Sequence, residues 1–391
     1  MTARLSKKLA IIGGKIHQNP DGKLLTHVSF GAIVNAFSER FEHIYLSSAI
    51  RHEKKVDDDY VLPRNITYVT QPPWTTTINS TIYHTGIVKS YDEAISQADA
   101  VFVRGNPVAA TKQLYKLCAQ QHKPICHWLV GNPMALLQSH QRSNWILDTL
   151  GKLYIWGWER RLVGGRKKAN GVFLCNGQEI SDRYPSEQTH MVVSTTLTKN
   201  DFFKRVDTCQ NNEIKILTMC YIRPEKGIEY LIDAYARTKI QKRSRLILAG
   251  SRARYDTYQK KLDQLIEKHN LQDNVEWRGH IRHDQIPSLL RECDVFVLPT
   301  LSEGTPRVLV EARANSLPII STNVGGIPSS VTDEVDGLLV PPKNPFFLAE
   351  AMTKVCTNHT LRRKLILNGY QRATELTVDK FVDLVINCLD L

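Results

Sequence analysis

The sequence predicts an alternating α/β protein built from two doubly wound parallel-sheet domains. Three observations lead there. Short β-branched runs alternate with longer helical segments along the chain. Its 391 residues exceed what one ordinary core organises. A polar stretch near the middle, 205–213 (RVDTCQNNE), separates two such strand–helix series. This alternation is the pattern of βαβ units, and ligands of such sheets bind beyond the carboxyl ends of the strands.

In the first half, β-branched runs place strands at 9–12, 44–46, 66–69, 101–103, 125–129, 172–174 and 191–193. The stretch 56–85 is polar and irregular and receives no assignment. In the second half, strands fall at 214–219, 245–248, 275–278, 295–298, 319–321 and 337–340. Helical segments lie between them, such as the one carrying Ile228, Leu231, Ile232 and Tyr235 at three- and four-residue spacing. The break at 205–213 gives an N-terminal domain over 1–206 and a C-terminal domain over 207–369. Two such domains facing each other would leave a central cleft.

Composition sets the class. Apolar residues make up 42% and charged residues 23%, as in a globular protein. No apolar run reaches the length of a spanning helix. The N-terminus, MTARLSKKLAIIGG, places basic residues before an apolar run, but that run covers only 9–12. This is shorter than a signal peptide requires, so the segment is expected to be a first buried strand in a cytoplasmic protein. Eight cysteines are scattered without a Cys-x-x-Cys pair, which favours packed, reduced thiols over zinc or disulfides.

The net charge of +12 asks for an anionic partner: a nucleotide diphosphate, nucleic acid or an acidic lipid surface. No recognised nucleic-acid module appears, and no nucleic-acid partner is expected. Residues 152–168 (KLYIWGWERRLVGGRKK) combine six basic residues and three aromatics with one acid. Such a stretch suits peripheral docking on the anionic inner face of a membrane. It equally suits a helix that packs its Trp residues into the core and solvates a basic face.

The most informative segment is 299–315, PTLSEGTPRVLVEARAN. A proline ends a buried strand, a turn presents Ser302, Glu303, Gly304 and Thr305, and a helix follows. Pro306 suits the first helical position and Thr305 the N-cap. The helix start then offers N–H groups and partial positive charge, a natural phosphate site. Glu311 lies inside an apolar helix, where an unpaired carboxylate is costly and needs donors. A pair of ribose hydroxyls would serve; pairing with Arg307 or Arg313 is the plainer alternative. Glu303 on the loop either reaches a ligand or is simply solvated.

The run SEGTPRVLVEA, with Glu303 and Glu311 eight apart, resembles the signature of glycosyltransferase family 4, the retaining enzymes of GT-B fold. Pro224-Glu225-Lys226-Gly227, Leu248-Ala249-Gly250, Arg278-Gly279-His280-Ile281, Val324-Gly325-Gly326-Ile327-Pro328 and Asp336-Gly337-Leu338-Leu339-Val340 match in order and spacing. The resemblance implies two Rossmann-like domains, with residues 370–391 crossing back to the N-terminal one. It implies that Glu311 binds the ribose of a nucleotide-sugar donor and that Glu303 contacts the transferred sugar. Main-chain groups of Gly304, Thr305, Pro306, Arg307 and Val308 would support sugar and diphosphate. Gly250, Gly279, His280 and Ile281 would line the rest of the donor site.

Lys226 would neutralise the leaving diphosphate. The family usually places an Arg where this chain has Tyr221, and Arg223 would take its part. In the N-terminal half, Gly13 and Gly14 resemble the family's glycine loop. Arg104, Asn106, His127 and Asn132 are further candidates for contact with the acceptor, although His127, three residues before Val130, also reads as strand interior. The implied reaction is sugar transfer to a glycan, lipid-linked or small-molecule acceptor, in cell-surface polysaccharide or glycolipid synthesis. Retention by front-face attack follows from the resemblance, and domain closure is implied. No cofactor is expected, and no Asp-x-Asp motif or His/carboxylate cluster calls for a metal. A nucleotide-sugar epimerase of the same fold, or a basic nucleic-acid-binding protein, are the alternative readings.

Overall fold

The computed structural model describes residues 4–18, 23–51, 59–74, 81–105, 110–134, 137, 145–251 and 256–391. The chain divides into two units, Met1–Val192 with Val378–Leu391, and Val193–Thr377.

The first unit contains β1 (Leu5–Gly13), β2 (Ile16–Gln18), β3 (Leu24–His27), β4 (Phe41–Arg51), β5 (Asp59–Val61), β6 (Ile66–Gln71), β7 (Ala100–Arg104), β8 (Ile125–Leu129), β9 (Val172–Asn176) and β10 (Thr189–Val192). Its sheet runs β10-β9-β8-β7-β1-β4, continues through β2-β3-β5, and has β6 paired to β4. The main strands are parallel; β3 pairs antiparallel with β2 and β5. Chain order reverses between β1 and β7, which makes their carboxyl ends the switch point where ligands of such sheets sit.

Helices cover both faces, so the central strands read as unbroken apolar runs. Leu9 to Ile12 are buried in the middle strand, as are Val101 to Val103 beside them. One face packs Phe30, Phe37 and Trp128, the other Tyr91, Tyr115 and Trp158. The helix Val378–Cys388 closes the first of these layers with Phe381, Val382, Val385 and Ile386. The Phe381 ring lies 4.9 Å from that of Trp128. Residues from 370 were expected to make this return, but the helix His359–Thr374 stays with the second unit. Leu365 packs in that unit's core, and Arg362 forms a 2.7 Å ion pair with Asp207.

The second unit has six parallel strands: β11 (Ile214–Met219), β12 (Ser244–Ala249), β13 (Val275–Gly279), β14 (Val295–Leu298), β15 (Ile319–Thr322) and β16 (Leu338–Val340). Their order, β13-β12-β11-β14-β15-β16, is that of a Rossmann-like domain, with its switch point between β11 and β14.

The expected break at 205–213 lies inside this unit. Its first residues are anchored in the unit, Asp207 through Arg362, whereas 210–213 are exposed. Arg205 donates to the carbonyls of Leu290, Arg291, Cys293 and Asn315 at 3.0–3.3 Å, and the Phe203 amide donates to Ala314 at 2.9 Å. The eight cysteines are free thiols, six of them buried. Among the described residues no helix is long and apolar enough to cross a membrane.

Candidate functional site

The site is built by two turns at the switch point of the second unit. After β11 the chain makes a single 3-10 turn, Pro224–Lys226, and leaves it through Gly227 at φ +62°. A Cβ there would stand 2.4 Å from the Pro299 carbonyl, so only glycine lets the turns after β11 and β14 touch. The Leu301 amide and the Thr300 hydroxyl both donate to the Glu225 carbonyl, at 2.8 and 3.1 Å. This zipping delivers Lys226 to Glu303, and the two form a short ion pair with side chains only 12% and 19% exposed. Glu303 is held from its other side: a Cβ on Gly325, at φ +53°, would lie 1.9 Å from the Glu303 carbonyl. That carbonyl accepts from the Gly326 amide at 3.2 Å.

The helix Arg307–Ala314 starts directly beyond Gly304 and Thr305. Pro306 is its N-cap with ψ 115°, not its first residue, so Thr305 lies one position outside the cap expected for it. A proline locked in extended geometry ahead of the helix displaces the threonine. No side chain caps this helix, which leaves first-turn N–H groups and the positive dipole end facing the Lys226–Glu303 pair's loop. Pro306 has no N–H, so the amides available to an anion are those of its neighbours. Nothing would meet a Cβ at Gly304 within 4 Å, so main chain is approachable there.

Glu311 faces a small cavity of about 20 Å³, lined also by Thr196, Leu197, Asp201, His283 and Asn315. Burial raises its carboxyl above the ordinary range, Arg307 and His283 pull it back, and Asp201 pushes it further up. Arg313 is not its partner: that guanidinium is fully buried and pairs with Asp336 at 3.1 Å. No described ion pair includes Glu311. Sequence reasoning missed His283 and Asp201, which reach Glu311 from distant segments.

Arg223 extends from the same turn as Lys226 but pairs with Glu225 at 3.1 Å and lies over the Tyr221 ring at 5.0 Å. It is half-exposed and stands outside the Lys226–Glu303 pair. Gly250 draws three strand ends together: its amide donates to Gly279 at 2.7 Å, and a Cβ would meet the Cys220 carbonyl at 1.8 Å. Gly279, at φ +65°, borders open space, and His280 is exposed. Ile281 and Val308 pack against the core cluster beneath.

In the first unit, the candidates part company. Gly13 and Gly14 both have positive φ; a Cβ on the first would meet the Arg104 carbonyl at 2.4 Å, and on the second the Phe30 ring at 2.1 Å. Arg104 is sandwiched between Phe30 and Trp128, at 5.2 and 5.4 Å. These three candidates therefore meet at the β1–β7 switch point. Nothing in the sequence flagged Phe30 or Trp128 beside them.

His127 points elsewhere. It is fully buried in β8, donates through Nε2 to the Gly105 carbonyl at 2.6 Å and accepts the Tyr115 hydroxyl at Nδ1, 2.7 Å away. Burial lowers its pKa to about 4, and both ring nitrogens are engaged, the Nε2 one in holding the Gly105 turn. Asn132 accepts from the Met134 amide at 2.9 Å and donates to Glu179 at 2.6 Å, fixing a turn beyond β8. Asn106 lies outside the described residues.

The family model for glycosyl transferases group 1 matches residues 199–372. An uncharacterized glycosyltransferase of Methanocaldococcus jannaschii is 35% identical over 159 residues, covering 41% of this chain and 43% of that protein. The alpha-D-kanosaminyltransferase of Streptomyces kanamyceticus is 28% identical over 198 residues, covering 47% and 49% respectively. The chain thus spans less than half the length of these curated relatives. Anabaena HepE, crystallised in complex with UDP, superposes with a TM-score of 0.67 at 16% identity, covering 97% of this chain and 99% of that one. That likeness extends over both units and shows their fold.

Proposed function

We propose that this chain of GT-B fold, whose residues 199–372 match the family model for glycosyl transferases group 1, transfers a sugar from a nucleotide-sugar donor, held by the second unit, to a glycan or lipid-linked acceptor taken by the first. The observation that carries this reading is the Lys226–Glu303 pair beside an uncapped helix start at the switch point. Turns after two different strands hold together these side chains, which are 77 residues apart in sequence. Lys226 and the helix amides stabilise negative charge on the departing diphosphate, the charge that grows as the glycosidic bond breaks. Glu303 accepts hydrogen bonds from the sugar hydroxyls, and Glu311 from the ribose. Arg223, released from Glu225, supplies a second cation. The Gly13–Gly14 turn with Arg104 receives the acceptor.

The resemblance of the segment from Ser302 to Ala312 to retaining enzymes supports retention by front-face attack. In that route the leaving phosphate takes the acceptor proton as the new glycosidic bond forms. Because Lys226 and the helix dipole supply the positive charge, the reaction runs without a divalent cation. The products serve polysaccharide or glycolipid synthesis.

The test is a panel of UDP-, GDP- and ADP-sugars, read by thermal shift and then by product NMR. One donor should stabilise the protein and yield a product of unchanged anomeric configuration, with EDTA making no difference. Lys226→Ala should lower kcat about 10²–10³-fold while the protein stays folded. Full turnover by that variant, inversion at the anomeric carbon, or an altered free sugar formed without acceptor would each overturn the reading.

A further inference from the structure

The helix Trp145–Lys168 of the first unit carries apolar side chains on two faces. The inner face belongs to the core: Trp158 is 2% exposed, Leu162 is fully buried, and the Trp158 indole donates to Thr111 at 3.1 Å. The outer face is anomalous. Leu150, Leu153, Tyr154 and Trp156 are 56, 58, 47 and 55% exposed. The first three recur at i, i+3 and i+4 and so share one side of the helix. Four large apolar groups grouped on one solvated surface mark an interaction site rather than scattered exposure.

The charge around them is one-sided. Arg160, Arg161, Lys167 and Lys168 are exposed on the same helix. Its two carboxylates are already paired. Asp148 binds Lys152 at 2.6 Å, while Glu159 takes Arg183 at 2.5 Å and the Tyr184 hydroxyl at 2.8 Å. The Arg160 guanidinium lies 4.7 Å from the Trp156 ring centre, which brings cation and aromatic together at one spot.

From this juxtaposition we infer that the outer face of Trp145–Lys168 docks the first unit onto an anionic lipid surface. Leu150, Leu153, Tyr154 and Trp156 enter the boundary between headgroups and acyl chains, and the cations beside them meet acidic headgroups. Tyr and Trp are the side chains that suit such a boundary, having an apolar body and a polar edge. A second copy of the chain is the poorer occupant, because it would bring two unopposed cationic helices together. The inference goes beyond the transfer reading: vesicle binding reads nothing of sugar chemistry, so either can fail while the other stands.

The experiment uses the full chain with vesicles of phosphatidylcholine alone and of phosphatidylcholine mixed with phosphatidylglycerol. The protein should sediment with the mixed vesicles, remain in solution with the neutral ones, and be released by salt. Arg160→Gln with Arg161→Gln should weaken binding roughly 25-fold, two cations at about fivefold each. Leu153→Ser with Trp156→Ser should abolish it, whereas Trp156→Phe should bind but lose the blue-shifted tryptophan emission that insertion produces. Thermal unfolding at the wild-type temperature shows that each variant is folded. Equal binding to neutral vesicles, no binding to either, or full binding by both double variants would overturn the inference. So would self-association that the Leu153/Trp156 variant abolishes, in a protein that ignores vesicles.

Discussion

Glu311 is held under opposing influences. Burial and Asp201 disfavour its charged form, while Arg307 and His283 favour it, and the net direction is upward. A carboxyl whose folded pKa exceeds its unfolded value contributes stability below the unfolded pKa, near 4.3, and loses it as pH rises through the folded value. As pH rises through that folded value, the ligand-free protein acquires a destabilising carboxylate that a donor's hydroxyls would satisfy. Glu311→Gln should raise the melting temperature at pH 8 by about 2–4 °C, consistent with roughly 1 kcal/mol, and by less at pH 5. It should also weaken donor binding by about tenfold or more, since a hydrogen bond to a charged group contributes roughly 1.5–3 kcal/mol. Melting curves at the two pH values and a donor titration check both halves. A variant that gains stability and keeps its donor affinity would make Glu311 purely structural.

The elements around the site differ in how far the sequence disclosed them. The turn and helix from Pro299 onward were legible because every part is contiguous: a strand-ending proline, a glycine-bearing loop and an apolar helix. The main strands were legible too, since burial on both faces writes them as apolar runs. By contrast, β2, β3 and β5 have three or four residues each, too few for a period to show. The partners of Glu311 were hidden because Asp201 and His283 come from other segments. His127 lies in the strand interior that its position also allowed, and its partners, Tyr115 and the Gly105 carbonyl, show it to be a brace.

The Gly325–Gly326 turn, visible as a motif, owes its glycines to the Glu303 loop. Gly325→Ala would put a methyl into the Glu303 carbonyl at a φ that costs roughly 1–3 kcal/mol for non-glycine residues. Transfer should fall more than tenfold with a modest drop in melting temperature, measured by kcat alongside unfolding. Wild-type kcat in that variant would show that the loop's placement does not matter.

On the scale of the whole molecule, the first unit is discontinuous. Its sheet is finished by Val192, yet Phe381, Val382, Val385 and Ile386 complete one of its core layers. Truncation after Thr377 removes these four buried side chains, a loss of about 6–12 kcal/mol at roughly 1.5–3 each. Calorimetry of the truncated chain should show the first unit's transition lowered or absent and the second unit's retained. Unchanged melting of both would mean that the helix is only a covering.

That arrangement also orders events during synthesis. The second unit, Val193–Thr377, has all its strands on the nascent chain before Val378 leaves the ribosome. The first unit, although translated earlier, waits with Phe102 and Trp128 short of their aromatic neighbour Phe381. The usual vectorial sequence, N-terminal domain first, is thereby reversed for the step that finalises the fold. A chaperone that shields apolar surface would find its longest-lived target on the amino-terminal half of the emerging polypeptide.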